Sequence, residues 1–384
     1  MPPQQRTKIL VFGYLPPPYF GPSVTYQALL HSDFPQRFEV SFVDITVSRS
    51  IGDIEHFRIG KVVKMLSFLL RELWLLVTHR FDFCFCPVSV NRNAFIKDAL
   101  FLGLARGFGV PTVLYAHGNN IPDFHDRATA RMQRLIARTC RRAAAAIVLG
   151  ESLRFNFERW LPTEKIFVVP TGIEPQSVVP SRQRSTGGLN VLYLGNLVRE
   201  KGVFVLLEAA AHIARQHSDV QFSFAGHWFR REDEAAATEF IARHQLDSHI
   251  RLVGPVAGET KWQTLANADL LAFPTFYYYE TMGLVVLEAM QAGVPVVATR
   301  RGSLAEIVRD GIDGLLVEEQ SATDLAEKIL RLADDPALRE QMGRSAKQRF
   351  QDYYTHMQYG QRMIAVFEAL SAGQSVKTLP RRTS

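Results

Sequence analysis

Two glutamates in the second half of the chain have the type and spacing that a reaction would need. Glu280 and Glu288 are separated by seven residues within PTFYYYETMGLVVLEAM (274–290), where Gly283-Leu284 opens a predicted helix. Glu288 lies about one turn inside that helix among apolar residues, so we expect it to be largely buried. A buried carboxylate needs a partner, and a bound pair of hydroxyl groups, such as a ribose diol, is one.

A second candidate lies in GNLVREKG (195–202), a turn between a predicted strand and a predicted helix. Gly195 and Gly202 stand at its two ends, with Arg199 and Lys201 inside. Glycine allows the backbone to approach a phosphate closely, and the two cations would neutralise it. Alone, a lysine in such a turn is also explained as a solvated side chain.

Two turns in the first half are also candidates. GYLPPPYFGPS (13–23) places Gly21 before a helix, and TVLYAH (112–117) ends at His117, followed by Gly118-Asn119-Asn120. Ligands of open parallel sheets bind beyond the carboxyl ends of the strands, where backbone N–H groups and helix N-termini collect. A histidine at such a position also has a structural interpretation, as a residue satisfied within the fold.

The elements that must position these residues alternate along the whole chain. Short apolar runs predict strands at 8–13, 38–44, 81–86, 112–117, 145–150, 165–170, 190–195, 220–226, 249–254, 270–275, 294–299 and 314–317. Helical patterns fill the gaps, and near-continuous apolar strands are typical of parallel sheets covered on both faces. The sequence therefore predicts an α/β protein with two Rossmann-like, doubly wound domains facing a central cleft.

The predicted boundaries follow from a change in composition. PTGIEPQSVVPSRQRSTGG (170–188) is rich in proline, glycine and small polar residues, which is typical of a linker. We expect an N-terminal domain at 1–172, a linker at 173–188 and a C-terminal domain at 189–350. A final helix near 353–372 is expected to pack back on the first domain.

Composition and charge narrow the function classes. The chain has 384 residues, 47% hydrophobic and 21% charged, which suits two globular domains. Residues 1–180 carry 21 Lys and Arg against 14 Asp and Glu, so the net charge of +6 arises in the first half. That asymmetry indicates an anionic partner: a phospholipid surface, a phosphorylated acceptor or nucleic acid. No nucleic-acid motif accompanies the charge.

Cysteine use and hydropathy bear on the compartment. Three cysteines, Cys84, Cys86 and Cys140, are too few for a disulfide framework and fit a reducing compartment. The start lacks the apolar core of a signal peptide, and the longest apolar candidate for a membrane span (65–77) contains Arg71 and Glu72. We therefore expect a cytoplasmic protein, with peripheral binding to the inner face of the plasma membrane left open.

These motifs together resemble the family 4 glycosyltransferases of the glycosyl transferases group 1 type, which are retaining enzymes of the GT-B fold. The phrase with Glu280 and Glu288 carries the resemblance most specifically. It is supported by YLGNLVREKG, RLVGPV (251–256), GSLAEIVRDGIDGLLV and VVPTGIEP, in the family's order across most of 165–335. The first half is similar more loosely, through its first loop and His117-Gly118.

The resemblance implies a role for each matching residue of the second half. The N–H groups of Gly283 and Leu284 would hold the diphosphate with Lys201, Glu288 would bind the ribose, and Glu280 would contact the donor sugar. The remaining nucleotide-sugar-binding positions that it implies are Gly195, Asn196, Arg199, Val253, Pro255, Thr281 and Met282. Of these, Val253 and Pro255 lie where the base is expected to pack.

In the first half the resemblance implies that His117 lines the sugar pocket and that Gly21 offers its N–H to the phosphate. Glu280, His117 and Lys201 would thus be the catalytic residues. The sequence departs from the family pattern at two positions. Asn196 occupies a position that is often arginine, so one cation for the phosphate is missing unless Arg199 supplies it. In the first loop, Pro22 stands where the family usually has a second glycine. Proline removes one backbone donor from that loop.

The resemblance implies transfer of a sugar from a nucleotide-diphosphate donor with retention of configuration. Backbone N–H groups and Lys201 would stabilise the departing phosphate, so no metal and no cofactor is expected. Two alternatives remain open at this point: a non-catalytic GT-B scaffold subunit of a glycosyltransferase complex, and a sugar-nucleotide epimerase. The presence of Glu280, Glu288 and Lys201 favours the transferase.

For the acceptor the sequence gives weaker indications. Arginines recur at helical spacing, with apolar residues on another face, at Arg127, Arg131, Arg134, Arg138 and Arg142. This face is either a solvated surface or a contact for anionic lipid headgroups. The apolar helix near 61–77 is either core or partly membrane-inserted. If the arginine face and the helix near 61–77 both contact a membrane, the acceptor is expected to be lipid-linked or a growing surface polysaccharide.

Overall fold

The computed structural model describes residues 6–46, 59–176 and 188–373. They form two compact units. Unit 1 contains the described residues within Met1–Glu174 and His356–Ser384, and unit 2 contains those within Pro175–Thr355. Most of the linker predicted at 173–188 lies outside the described residues.

Unit 1 is built on a six-stranded parallel sheet with the order β2-β1-β3-β4-β5-β6. Its strands are β1 (Lys8–Gly13), β2 (Glu39–Asp44), β3 (Phe83–Pro87), β4 (Thr112–Tyr115), β5 (Ala145–Val148) and β6 (Ile166–Val168). The central strands β3, β4 and β5 are buried at every position, as expected of strands with helices on both faces.

The helices of unit 1 cover both faces of this sheet. They are α1 (Gly21–Leu30), α2 (Phe34–Arg37), α3 (Ile59–Thr78), α4 (Arg92–Gly107), α5 (Ile121–Asp126), α6 (Ala130–Arg141), α7 (Phe155–Glu158) and, numbered by its place in the chain, α15 (His356–Ser371). Right-handed crossovers place α3, α4 and α6 on one face, where α4 contacts both of the others. On the other side α1 packs against α15, and the hydroxyls of Tyr115 and Tyr359 are 3.0 Å apart.

Unit 2 repeats the architecture with the strand order β12-β11-β10-β7-β8-β9, again all parallel. Its strands are β7 (Leu189–Leu194), β8 (Val220–Ala225), β9 (Ile250–Gly254), β10 (Leu270–Phe273), β11 (Val296–Thr299) and β12 (Gly314–Val317). Each of the twelve strands falls on a run predicted from the sequence, and the predicted α/β class with two doubly wound sheets is confirmed.

Seven helices connect or follow the strands of unit 2 among the described residues, and the strand order runs in two directions from the middle of the sheet. They are α8 (Val203–Ala214), α9 (Arg231–Arg243), α10 (Gly258–Ala266), α11 (Leu284–Ala292), α12 (Leu304–Ile307), α13 (Ala322–Asp334) and α14 (Pro336–Arg349). From β7 the chain proceeds towards the β9 edge, whereas from β10, the neighbour of β7, it proceeds towards the β12 edge. The carboxyl ends of β7 and β10 therefore flank the topological switch point, where open sheets of this kind bind ligands.

The arginines from 127 to 142 were predicted to lie on one face of a single helix, and this prediction is wrong for Arg127. Helix α5 ends at Asp126 and α6 begins at Ala130, so Arg127 lies in the turn between them and pairs with Asp123 at 2.9 Å. Thr129 is extended, with φ −64° and ψ 154°, which breaks the helical spacing. The arginine row on α6 thus starts at Arg131. None of the described helices is long and apolar enough to cross a membrane.

Candidate active site

Two loops meet at the switch point of unit 2. The loop after β7 ends at Gly202, whose φ of +82° is left-handed and whose Cα lies against the loop after β10. A Cβ at Gly202 would stand 2.1 Å from the carbonyl oxygen of Pro274, which leaves room only for glycine. The N–H of Phe276 donates to the carbonyl of Glu200 at 2.9 Å. These contacts fix the two loops to each other.

Lys201 and Glu280 meet across this junction. The Nζ of Lys201 donates to Oε2 of Glu280 at 2.9 Å, and the two side chains are 23% and 8% exposed. The ammonium also lies 5.4 Å from the centre of the Tyr277 ring and 5.7 Å from that of Phe273. Low exposure strengthens the attraction between the charges, and the pairing offsets the cost of burying the carboxylate. The structure thus brings together the two residues with the strongest predicted roles.

The helix predicted at Gly283-Leu284 begins there. Gly283 is the N-cap of α11, with φ +63°, and Leu284 is its first residue. The first N–H groups of a helix have no acceptor in a preceding turn, and the helix dipole adds partial positive charge at this end. A helix start of this kind favours an anion. The diphosphate contact of Gly283 and Leu284 remains a prediction.

The loop that carries Glu280 is held from behind by Gly302 and Ser303. The N–H and the hydroxyl of Ser303 both donate to the carbonyl of Thr281 at 2.7 Å. A Cβ at Gly302 would lie 2.5 Å from that same oxygen. Thr281 and Met282 are themselves buried, so their side chains support the loop from inside. This contact explains why GSLAEIV accompanies the two glutamates in the sequence.

Glu288 has a protein partner that the sequence analysis missed. Its Oε1 accepts a hydrogen bond from the Nζ of Lys261 at 2.6 Å, and the glutamate side chain is 15% exposed. Lys261 lies on α10, which packs against α11. The expectation that Glu288 needs a partner was correct, but the two residues are 27 positions apart and no local pattern connects them.

Arg199 points to a different partner from the one that the resemblance suggested. Its guanidinium donates to Oδ1 of Asp233 on α9 at 3.1 and 3.2 Å and stacks 3.8 Å from the ring centre of Phe204. The structure therefore groups Arg199 with α8 and α9 and not with Glu280. Asn196 is exposed, and its carbonyl accepts from the hydroxyl of Tyr193.

Gly195 is placed by a close backbone contact. Its φ is +143°, and its carbonyl lies so near Gly226 that a Cβ there would be 1.7 Å away. Gly195 and Gly226 directly follow the adjacent strands β7 and β8, so the two loops after these strands start in contact. The predicted role of Gly195 towards phosphate remains a prediction.

Val253 and Pro255 lie at the carboxyl end of the edge strand β9. Pro255 lines a cavity of about 550 Å³ that Leu252 and Gly254 share with the loop after β8. Trp228 and Phe229 form the aromatic part of the lining. Val253 is half-buried and is not among the lining residues. Of the two positions predicted for the base, only Pro255 thus borders open space in the cavity.

Gly21 and His117 belong to unit 1. Gly21 is the first residue of α1, and open space surrounds the position of a Cβ there. His117 follows β4, with ring centres 4.1 Å from Tyr115 and 5.3 Å from Tyr26. Its Nε2 is buried, and burial lowers the pKa of His117 to about 3. The imidazole is therefore neutral at physiological pH and suits hydrogen bonding rather than ion pairing with a phosphate.

The candidate site in unit 2 is built from pairs of a carboxylate and a lysine. Within 6–46, 59–176 and 188–373, no group of three or more His, Cys, Asp or Glu side chains is arranged to hold a metal. The carboxylates of Glu280 and Glu288 are each bound to a lysine. The arrangement can bind a diphosphate at α11 and hydroxyl groups at the two glutamates.

Comparison with known proteins identifies the family of the chain. Residues 180–349 match the family model of glycosyl transferases group 1, and residues 37–177 match that of Glycosyltransferase Family 4. Together the two models account for most of the chain. The chain therefore belongs to the glycosyltransferases that these two models describe. The resemblance read from its motifs is thereby confirmed.

Two curated relatives and one solved structure illustrate the relationship. The chain is 29% identical to Alpha-D-kanosaminyltransferase of Streptomyces kanamyceticus over 63% of this chain and 66% of that protein. It is 33% identical to the D-inositol 3-phosphate glycosyltransferase of Arthrobacter sp. (strain FB24), over 67% and 65%. The aligned parts thus span slightly less than two thirds of these relatives.

The solved structure is that of Anabaena Alr3699/HepE in complex with UDP. It superposes on 94% of this chain and 100% of its own with a TM-score of 0.71, at 16% identity. At that identity the likeness shows the fold, which is that of the GT-B glycosyltransferases.

Proposed function

We propose that the protein transfers a sugar from a nucleotide-diphosphate sugar to an acceptor. The observation that carries this proposal is the Lys201–Glu280 pair, at 2.9 Å, at the switch point of unit 2 that also holds the start of α11. A cation and helix N–H groups for a diphosphate stand beside a carboxylate for sugar hydroxyls. Support also comes from family membership, and a structural neighbour of the same fold was crystallised with UDP.

Each group has a distinct task in the proposed reaction. Departure of the nucleoside diphosphate builds negative charge on the β-phosphate, and the N–H groups of Gly283 and Leu284 with Lys201 stabilise it. Since the two loops are already fixed, these groups need little reorganisation. Glu288 binds the ribose hydroxyls, and Glu280 accepts hydrogen bonds from the donor sugar. His117, as a neutral imidazole, and Gly21 keep in this proposal the roles that the resemblance implies for them.

The proposal includes retention of configuration and independence of divalent metal. Protein donors supply the charge stabilisation that a metal ion would otherwise give. Glu280 is not assigned as a covalent nucleophile, because its carboxylate is engaged by Lys201. We expect transfer to continue in EDTA and the product to keep the anomeric configuration of the donor.

For the acceptor we propose a lipid-linked or growing surface-polysaccharide or glycolipid chain. The excess of basic residues in the first half supports an anionic partner of that kind. Peripheral contact with the inner face of the plasma membrane belongs to the same proposal. The two curated relatives carry names that imply different acceptors, so relatedness alone does not select one.

The test is hydrolysis or transfer from a panel of UDP-, GDP- and ADP-sugars, followed as release of the nucleoside diphosphate. The wild type should consume one donor class, and Lys201→Met should lose this activity. Arg344→Gln, which changes an exposed cation of α14, serves as the matched control and should leave it intact. Consumption of no donor by a folded, nucleotide-binding protein would favour the non-catalytic scaffold, and interconversion of two sugar nucleotides would favour the epimerase.

A further inference from the structure

Helix α3 of unit 1 exposes an unusual number of large apolar side chains. Leu66, Leu70, Leu73, Trp74 and Val77 are 57%, 58%, 39%, 60% and 67% exposed. Their spacing of three and four residues places them along one side of the helix, and we call them the apolar stripe. Single exposed apolar residues are ordinary, but a contiguous stripe marks a surface that contacts something apolar.

The apolar stripe is not the side by which α3 is attached to the fold. The inner side of the helix buries Glu72, Leu75 and Leu76. The outer side therefore contributes little to the packing of unit 1, which leaves between 39% and 67% of each stripe residue in water. A ligand that covers them would gain the hydrophobic free energy that folding leaves unused.

The exposed charged side chains of the helices α3, α4 and α6 all have one sign. On α3, α4 and α6, over 64–80, 92–108 and 130–142, the only acidic residues are Glu72 and Asp98, and both are buried. The exposed ionisable side chains of these segments are all basic: Lys64, Arg71, His79, Arg80, Arg92, Arg131, Arg134, Arg138, Arg141 and Arg142.

Helix α6 separates its cations from its packing side. Arg131, Arg134 and Arg138 are exposed, whereas Met132 and Ile136 are buried against the fold. Because α4 contacts both α3 and α6 on the same face of the sheet, the arginine row and the apolar stripe belong to one helix layer. We call this layer, with its stripe and its basic side chains, the docking face.

We propose that the docking face binds an anionic phospholipid bilayer, with the apolar stripe entering the interfacial region and the α6 arginines contacting lipid phosphates. This deepens the membrane contact that the proposed function includes, and gives it a surface and a mode. Trp74 suits such a place, because indole rings favour the boundary between water and hydrocarbon. Basic side chains around an apolar face are typical of helices that lie in this interface.

Charge and hydropathy together favour a bilayer over the other occupants. Two copies of the chain meeting through this face would bring ten basic side chains against ten, without an acidic partner. A nucleic acid would satisfy the arginines but leave the apolar stripe in water. Only an anionic apolar surface satisfies both features.

The experiment is flotation of the full chain with vesicles of phosphatidylcholine alone and of equal parts phosphatidylcholine and phosphatidylglycerol, at low and high salt. The wild type should bind the anionic vesicles, and part of this binding should persist at high salt because the apolar stripe is not screened. Arg131→Gln/Arg134→Gln/Arg138→Gln should weaken binding roughly a hundredfold at low salt. The matched control in unit 2, Arg215→Gln/Arg331→Gln/Arg344→Gln, carries the same charge change and should bind as the wild type.

Leu70→Gln/Trp74→Gln should remove the salt-resistant part of the binding, while Leu70→Met/Trp74→Phe should keep it. Absence of vesicle binding, or equal binding to neutral and anionic vesicles, would overturn the inference. So would a dimer in sedimentation that Leu70→Gln/Trp74→Gln dissociates, or tight binding of an RNA duplex that exceeds vesicle binding.

Nucleotide binding by the same preparation separates this inference from the proposed function. Vesicle binding without any nucleotide response would contradict the transferase and leave the docking face standing. A nucleotide response without vesicle binding would contradict the docking face and leave the transferase standing.

Discussion

At the scale of single residues, two ion pairs order the glutamates of the candidate site. Lys201 with Glu280 and Lys261 with Glu288 each join a cation to a carboxylate with little exposure to water. A donor would exchange these contacts for phosphate and hydroxyl contacts of similar strength, so the side chains are already ordered when it arrives. Such preorganisation reduces the entropy lost on binding.

Removal of the Lys201 cation should affect activity and stability separately. Lys201→Met should lower transfer about 100- to 1,000-fold, because the departing phosphate loses a preorganised charge. It should also destabilise unit 2 by about 3–5 kcal/mol, since Glu280 stays buried without its partner. Steady-state kinetics and urea unfolding measure the two effects.

The double variant Lys201→Met/Glu280→Gln is the control. It should recover stability and not activity, because no charge is left buried while the phosphate cation is still missing. Recovery of both would mean that Lys201 serves only to neutralise Glu280.

The two glutamates should divide binding from transfer. Glu288→Ala should weaken nucleotide binding about 10- to 100-fold through loss of charge-assisted hydrogen bonds to the ribose. Glu280→Ala should leave nucleotide binding nearly unchanged and mainly lower transfer, because its proposed partner is the sugar. Calorimetric titration with the nucleoside diphosphate and initial rates with the full donor distinguish these effects, and the opposite division would exchange the two assignments.

Glu72 should give the protein a pH-dependent stability that is unrelated to the site. Burial raises its pKa from 4.5 to about 9, and neither carboxyl oxygen has a hydrogen-bond partner among the described residues. The folded chain keeps a proton that the unfolded chain releases above pH 4.5. The free energy of unfolding therefore falls as the pH rises from 4.5 to about 9 and is level above that.

Glu72→Gln removes this proton and should be as stable as the wild type near pH 4.5 and a few kcal/mol more stable at pH 8. Urea unfolding at pH 5, 6.5 and 8 measures the difference, with the exposed Glu164→Gln as control. A stability difference that does not change with pH would show that the Glu72 carboxyl is ionised in the folded protein.

At the scale of elements, the sequence predicted the strands but not the side-chain contacts between elements that are distant along the chain. Buried parallel strands consist of short, largely apolar runs, so each of β1 to β12 has a local signal. Lys261 and Asp233 have none, because their partners Glu288 and Arg199 lie 27 and 34 residues away along the chain. The break between α5 and α6 was also missed, since arginine is compatible with both helix and turn.

The junction of the two loops in unit 2 should depend on Gly202. Gly202→Ala places a Cβ 2.1 Å from the carbonyl oxygen of Pro274 in a backbone with φ +82°. The expected cost is about 1–3 kcal/mol of stability, and nucleotide binding should weaken because the loop carrying Lys201 shifts. Thermal unfolding and nucleotide titration measure both.

Gly103→Ala is the matched control for this change. Gly103 lies within α4, where a Cβ would have no neighbour within 4 Å, so the substitution should stabilise the chain by about 0.5–1 kcal/mol. Equal behaviour of the two variants would show that the Gly202 turn adapts and does not fix the loops.

At the scale of the whole molecule, sequence patterns predict the architecture more completely than they predict the identity of the ligand. Two doubly wound sheets follow from alternating strands and helices, and the switch point of unit 2 follows from the strand order β10-β7. The residues that the resemblance assigned, Lys201, Glu280 and Gly283, lie at that point. The identity of the base and the acceptor depends on the shape of loops, for which a single sequence carries no periodic signal.

The most direct test of the central claim is thermal unfolding of the full chain with UDP, GDP, ADP and their common sugars, each with and without EDTA. A ligand of the folded state adds about 2.7 kcal/mol at a hundred times its dissociation constant. We predict stabilisation by nucleotides of one base, unchanged in EDTA and clearly reduced in Glu288→Ala at the same ligand concentration. No stabilisation by any nucleotide, or stabilisation that is undiminished in Glu288→Ala, would contradict the proposed donor site.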